Sequence, residues 1–442
     1  MRRQAHDTHP CWRATRVLAW SACVGACMLL VSNATAAGSG ARAVHAAAKS
    51  VPAPPQPAAP IASPEARLIQ IYRQIGGGRS REALVMAAAL VHDEPNFRLA
   101  HLVYADLLTA RRTGLSSFGG GAATALPGVS TGRLEELRAE AALRLQALRD
   151  TPPPGAVPRQ FLTLPETTRH AIAVDASRSR LYLLEHDRQG MKLVASYYVS
   201  LGRLGLDKRT EGDQRTPLGV YFVSDRMGGG SLEQRFGAGA MQINYPNAFD
   251  KLRGRTGSGI YLHGVPFDTY SRPPKDSDGC VALANDELLM LMNTVPLHDT
   301  PVIITRQIHW VRDDVAQQHR AEILDAVNHW QSVRASEDHA ALDAFYQPGV
   351  APETPAAPPA PPPQPTVVMV HGKRRVIPAP AVAPRDPIAF DNLSVLTWSD
   401  EKDTMVVTFN ERGTRTHRET VLRQYWERDA AKWKIVAEGT VR

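Results

Sequence analysis

One histidine and one cysteine stand out as residues able to do chemistry together. In residues 259–283 (GIYLHGVPFDTYSRPPKDSDGCVAL), His263 closes a short apolar run, Ile260-Tyr261-Leu262. Thirteen residues separate it from Ser277-Asp278-Gly279-Cys280, which Val281, Ala282 and Leu283 follow at once. A thiol becomes a nucleophile when a base or a positive charge stands near it. A glycine beside it lets the backbone approach a reacting carbonyl closely. The stretch therefore predicts cysteine–histidine acyl transfer, a chemistry that needs no cofactor.

The distribution of cysteines supports this. The sequence holds four: Cys11, Cys23, Cys27 and Cys280. A basic flank (Arg2, Arg3, Arg13, Arg16), an apolar run over 17–31 and the small residues Ala34-Thr35-Ala36 predict a secretory leader over 1–37, cleaved near Ala36-Ala37. The run is too short for a membrane span. A lipoprotein leader ending at Cys27 does not fit, because the apolar run continues past it. Export to the periplasm would leave Cys280 as a single thiol in an oxidising compartment, with no disulfide partner. A lone cysteine is more often a buried structural residue, but Ser277-Asp278-Gly279 is a polar, loop-like setting.

Metal and serine chemistries fit less well. Zinc held by His263, Asp278 and Cys280 would lack the clustered ligands of a structural site, and no His-Glu-x-x-His helix occurs. No Gly-x-Ser-x-Gly elbow occurs either. The formal charge is +7, and removing the leader leaves +4. Spread over a long chain, that excess does not suit nucleic acid.

The surrounding elements divide the 442 residues into parts. A mature chain of about 405 residues implies two to three domains. Residues 38–64 read as an Ala/Pro tether. Over 65–150 the apolar spacing is helical, as in Leu68, Ile71, Tyr72 and Ile75. Ser80 is the expected cap of a second helix, a third spans 97–107, and a glycine-rich loop (114–132) leads to a fourth over 134–148. Small residues at packing positions and the Pro95-Asn96 break resemble tetratricopeptide repeats. Strand-like runs follow at 170–175, 180–185, 193–201, 219–223, 241–245, 259–262 and 301–305, which predicts an all-β sandwich or barrel over 165–307. One helix, 285–293 with Asn285 as N-cap, interrupts it. A helix over 313–346, a Pro-rich insertion over 350–386 and strands at 388–396, 404–410, 415–427 and 433–438 predict an α+β domain over 310–442.

These motifs resemble the YkuD-type L,D-transpeptidases. The resemblance rests on His-Gly, the spacer, and Ser-x-Gly-Cys-apolar, together with Arg215-Thr216-Pro217-Leu218-Gly219-Val220-Tyr221 upstream, and covers about 169–306. It implies a β-sandwich domain that attacks peptidoglycan stem peptides, between the L-centre of diaminopimelate and the adjacent D-alanine, with transfer to an amine or to water. By position, Cys280 would be the nucleophile and His263 its base. The N–H groups of Gly279 and Cys280 would hold the oxyanion, and Ser277 would orient the loop or the imidazole. Asp278, Tyr261 and Gly264 fall on the substrate side. Asp278 and Ala282 depart from the family pattern, where histidine and asparagine or arginine are common, so the acceptor side is where this chain would differ. Asp278 is either a turn former or a group that steers substrate ammonium.

The C-terminal part resembles an NTF2-like (SnoaL-type) cone. A YkuD-like domain followed by such a cone resembles L,D-carboxypeptidases that shape helical bacteria, as well as transpeptidases. The expected activity is thus an L,D-transpeptidase, with carboxypeptidase and peptidoglycan–lipoprotein amidase as alternatives at the same site. A non-catalytic wall-binding scaffold is the reading without chemistry. The cone would mediate dimerisation or positioning.

Overall fold

Four helices open the described part of the chain. α1 (Pro64–Gly76) begins where the Ser63 hydroxyl accepts the Ala66 N–H and proline fills the first turn. α2 (Ser80–Asp93) starts one residue earlier than expected: Arg79 holds the cap position, and Ser80 lies inside the helix. α3 (Arg98–Ala110) and α4 (Thr131–Arg149) complete the group, with Ser130 capping α4 through the Arg133 N–H. Leu68, Ile71, Leu90, Phe97 and Leu99 form their core.

The computed structural model describes residues 62–441, apart from 116, 122–129, 229–231, 337, 353–365, 371–372, 378–386, 416 and 431. The expected leader, nearly all of the tether, and much of the glycine-rich loop and Pro-rich insertion lie outside the described residues.

The strands that follow are β1 (Val157–Pro158), β2 (Phe161–Thr163), β3 (His170–Asp175), β4 (Arg180–Asp187), β5 (Gly190–Tyr198), β6 (Leu201–Gly202), β7 (Gly219–Gly228), β8 (Gly239–Ile243), β9 (Tyr261–His263), β10 (Lys275–Ser277), β11 (Val281–Ala282), β12 (Pro301–Thr305) and β13 (Trp310–Val311). α5 (Ala248–Leu252) and α6 (Asn285–Thr294) lie among them. Eight form one sheet in the order β11-β9-β8-β7-β12-β3-β4-β5. The expected sandwich is thus a single hydrogen-bonded sheet that curls at β7. The first half of β7 pairs with β12 (Val220↔Ile303) and its second half with β8 (Met227↔Ala240). A register shift between Val223 and Asp225 marks the bend, as a bulge does by twisting its strand.

The C-terminal helix breaks into α7 (Asp313–Ala335) and α8 (His339–Asp343), the second capped by Asp338. A hairpin of β14 (Thr366–Val370) and β15 (Lys373–Ile377) lies within the stretch expected to be a Pro-rich insertion. β16 (Ile388–Trp398), β17 (Thr404–Gly413), β18 (Glu419–Asp429) and β19 (Lys432–Thr440) form an antiparallel sheet. Its fifth strand is β2, from before the catalytic sheet, with Phe161 opposite Leu396.

Side chains alternate across a strand, and here each face has its own core. Val395, Met405, Val407, Trp426 and Ile435 pack with Trp330 of α7. Their neighbours Leu396, Val406, Tyr425 and Val436 join the core of the catalytic sheet. Phe249 of α5 stacks on Tyr425 with ring centroids 5.7 Å apart. Through these shared cores, 61–442 is one compact unit.

Phe249→Ala should therefore open a cavity at the seam and lower stability by about 3–5 kcal/mol. Urea unfolding followed by tryptophan fluorescence checks this, with a lower midpoint expected.

Candidate active site

The short strands β9 and β11 lie side by side in parallel, with Val281 opposite Leu262 and Ala282 opposite His263. The Leu283 N–H donates to the His263 carbonyl at 2.8 Å and extends the pairing. Cys280, one residue ahead of β11, falls beside Tyr261. Its half-buried thiol donates to the Gly259 carbonyl at 3.7 Å, and the Tyr261 N–H points at the sulfur.

Ser277 closes the turn that presents this thiol. Its hydroxyl donates to the Cys280 carbonyl at 2.6 Å and accepts the Gly279 N–H at 3.2 Å. Ser277 thus orients the loop. The Gly279 N–H is taken by this bond, so of the two oxyanion donors expected only that of Cys280 has no hydrogen-bond partner among the described residues. Gly279 has φ +120°, and a Cβ there would lie 2.7 Å from the Arg215 carbonyl oxygen. Only glycine fits such a position. The Arg215–Gly219 motif is the floor beneath the cysteine loop. Thr216 accepts the Gly202 N–H at 2.8 Å, and the Arg203 N–H donates to the Ser277 carbonyl at 2.8 Å.

His263 is buried. Its Nδ1–H donates to the Gly264 carbonyl at 2.6 Å; because a carbonyl only accepts, this bond assigns the proton to Nδ1 and leaves Nε2 as the basic nitrogen. Phe236 meets the imidazole edge-on at 5.1 Å and the Tyr261 ring at 5.5 Å between centroids. Burial pushes His263 down to about 4, a shift that the Gly264 bond opposes and that Arg272 and Arg235 reinforce. Burial pushes the Cys280 thiol up, with the Tyr261 N–H and Arg235 acting against it. Both groups are therefore neutral at pH 7. A resting thiolate, the state expected from a thiol beside a base, is not what this environment favours.

The expected substrate-side residues separate. Asp278 is exposed, with Gln214 donating to it at 3.3 Å and Arg203 forming an ion pair with it at 4.0 Å. Tyr261 is half-buried at the rim. Gly264 is buried, and a Cβ there would meet Asn285 Oδ1 at 2.1 Å. It fixes the imidazole and offers no surface to a substrate.

Two residues gain roles that the sequence did not suggest. Phe236 walls the imidazole. Asn285 was expected to cap α6, but Ala284 holds that position. The Asn285 amide instead accepts the Ala238 and Val265 N–H groups at 2.9 and 3.2 Å and donates to the Val265 carbonyl at 2.8 Å. A polar residue at a helix start carries no signal for such a tie.

Gly279→Ala should lower acyl-transfer activity by about 10²-fold, the scale of a 1 Å misplacement; initial rates check this. A second expectation follows from His263, whose folded pKa of about 4 lies below the ordinary 6.5. The unfolded chain binds the proton first, so this contribution is full above pH 6.5 and is lost as pH falls towards 4. It amounts to on the order of 3 kcal/mol. The midpoint of urea unfolding between pH 7 and 4 should fall less steeply in His263→Asn than in the unsubstituted protein.

Comparison with known proteins fits this geometry. Residues 169–304 match the family model YkuD, described as the L,D-transpeptidase catalytic domain. No curated protein matches the sequence. Among solved structures, Bdellovibrio bacteriovorus Bd1075 is similar in fold, at 22% identity over 64% of this chain and 98% of that one, with a TM-score of 0.50. The helical cell shape determining protein Pgp2 from Campylobacter jejuni aligns at 18% identity over 63% of this chain and 96% of its own, with a TM-score of 0.46. Cys280, His263 and the Arg215–Gly219 floor all lie inside the matched span, and residues 169–304 are a YkuD-family L,D-transpeptidase catalytic domain.

Proposed function

We propose that the chain is a peptidoglycan-modifying L,D-transpeptidase that works through an acyl-enzyme on Cys280. The observation that carries this is the pairing, inside the YkuD span, of β9, which ends in His263, with β11, which follows Cys280 directly. Attack by Sγ on the carbonyl of the diaminopimelate L-centre passes the thiol proton to Nε2. The oxyanion forms near the Cys280 N–H. The bond to D-alanine then breaks, and Nε2–H returns the proton to the departing amine. A second amine loses a proton to Nε2, attacks the thioester and frees the thiol. With water as acceptor the same steps give an L,D-carboxypeptidase, and with a wall-attached lipoprotein as leaving group an amidase.

Around this site the exposed Asp278, the rim residue Tyr261 and the cations Arg203 and Arg235 are the substrate-facing groups. The leader would deliver the enzyme to the periplasm, where stem peptides are its partners. The C-terminal sheet with α7, read as NTF2-like, would position or pair the enzyme.

Cys280→Ala should abolish turnover and leave the thermal midpoint unchanged; activity surviving in that variant sinks the cysteine mechanism. His263→Ala should cost about 10²- to 10⁴-fold, the range of general-base catalysis. The deciding measurement is mass spectrometry of muropeptides after residues 38–442 act on isolated sacculi. New diaminopimelate–diaminopimelate links identify a transpeptidase, tripeptides without new links a carboxypeptidase, and released lipoprotein an amidase. No change that depends on Cys280 would leave the wall-binding scaffold.

A further inference from the structure

Parallel strands need a long connection, and the one that joins β9 to β11 by way of β10 carries the chain from His263 to Cys280. The catalytic sheet holds its start and its last three residues, where the Tyr198 hydroxyl of β5 donates to the Arg272 carbonyl at 3.1 Å and the Ser200 hydroxyl to the Pro273 carbonyl at 2.5 Å. Asn285 ties Val265, and the Leu201 N–H donates to the Pro274 carbonyl at 2.9 Å. The middle is held by the N-terminal helices. Asn96, between α2 and α3, donates to the Phe267 carbonyl at 3.0 Å, and its own carbonyl accepts the Tyr270 N–H at 3.2 Å. Tyr270 is buried in the helical core, with its ring 4.3 Å from that of Phe97. The Ser271 hydroxyl donates to Glu140 of α4 at 2.8 Å.

A buried ionic cluster stands behind that last bond. Glu140 pairs with Arg144 at 2.9 Å, and Arg144 also pairs with Glu65 of α1 and lies 4.0 Å over the Tyr198 ring. Glu65 reaches Arg180 of β4 at 2.9 Å. Charges this deeply buried are tolerated only while they stay paired, so the helices have one seat on the catalytic sheet. The next residue, Arg272, carries the restraint into the site. It donates to the Asp276 carbonyl at 3.0 Å, just ahead of Ser277, and to the Arg235 carbonyl at 3.4 Å, beside the Phe236 that walls His263.

We infer that the N-terminal helices are a working part of the catalytic site: they clamp the connection between His263 and Cys280, with Ser271–Glu140 as the positioning contact. The inference rests on Cys280 and His263 as the reacting pair. Its test therefore includes readouts that need no substrate.

The variants are Ser271→Ala, Glu140→Gln and Ser271→Thr in the full chain, with Arg67→Ala as control. Arg67 pairs with Asp93 at 2.7 Å within the helices and is not among the contacts that hold the connection. Three quantities are measured: hydrogen exchange over 265–276, the rate at which iodoacetamide alkylates Cys280, and turnover on muropeptides. Ser271→Ala and Glu140→Gln should speed exchange in that segment by about threefold or more, shift the alkylation rate several-fold and lower kcat by about tenfold, with KM little changed. Ser271→Thr should restore all three, and Arg67→Ala should leave them alone. If Glu140→Gln fails to fold, Ser271→Ala decides. Exchange and alkylation unchanged in Ser271→Ala would overturn the inference. If both shift as expected while even the unsubstituted protein leaves muropeptides untouched, the clamp stands and the proposed activity falls.

Discussion

The arrangement depends on the parallel pairing of two strands that are three and two residues long, β9 and β11. Their register sets Ala282 against His263 and so brings the thiol two residues earlier alongside the imidazole strand. Strands this short carry little pairing energy of their own. What fixes them is burial around them: Leu262, Val281 and Leu283 are closed off from solvent. The same burial sets the electrostatics, since the apolar residues that secure the register also remove water from His263. The imidazole is neutral as a consequence of where the strand must lie.

That consequence bears on the chemistry. A thiol beside a protonated imidazole would rest as a thiolate, reactive towards oxidants as well as towards substrate. Here desolvation favours the uncharged form of both partners. In the proposed mechanism the nucleophile is made only as the proton leaves in the attack, which would suit the single thiol that removal of the expected leader would leave in an oxidising compartment. The restraint on Nδ1 by the Gly264 carbonyl matters for the same reason, because a ring free to change tautomer would present Nε2–H, which cannot accept that proton.

Much of this was legible in the sequence, and the parts that were not have a common cause. The spacing of His263 and Cys280, the Ser-x-Gly-Cys turn and the Arg215–Gly219 motif are local, and they point to the candidate site inside the matched span. The strands at 170–175 and 301–305 match their apolar runs, because central strands buried on both faces read as continuous apolar stretches. β10 and β11 were not legible: runs of two or three residues have no period to detect. The pairing of Phe161 with Leu396 joins residues more than two hundred positions apart, and nothing near Phe161 signals it. Ser80 and Asn285 misled in the same way. Each is a good cap by type, but the tertiary surroundings place Ser80 one position inside its helix and give Asn285 three backbone groups to bind.

The flanking modules are then best understood through the sides of the catalytic sheet that they cover. The C-terminal sheet sends alternate residues into the catalytic core, so its strands are buried on both faces, and a shift of one residue would exchange the side chains that two separate cores are packed around. The helices bring charge instead, and paired buried charges fix orientation more strictly than they add stability. One neighbour thus supplies cohesion and the other supplies register. The long connection between β9 and β10 lies on the helical side, where small displacements would reach Cys280 and His263 together. A rigid seat is what that side of the molecule requires, and the pairing of Glu65, Glu140, Arg144 and Arg180 provides one.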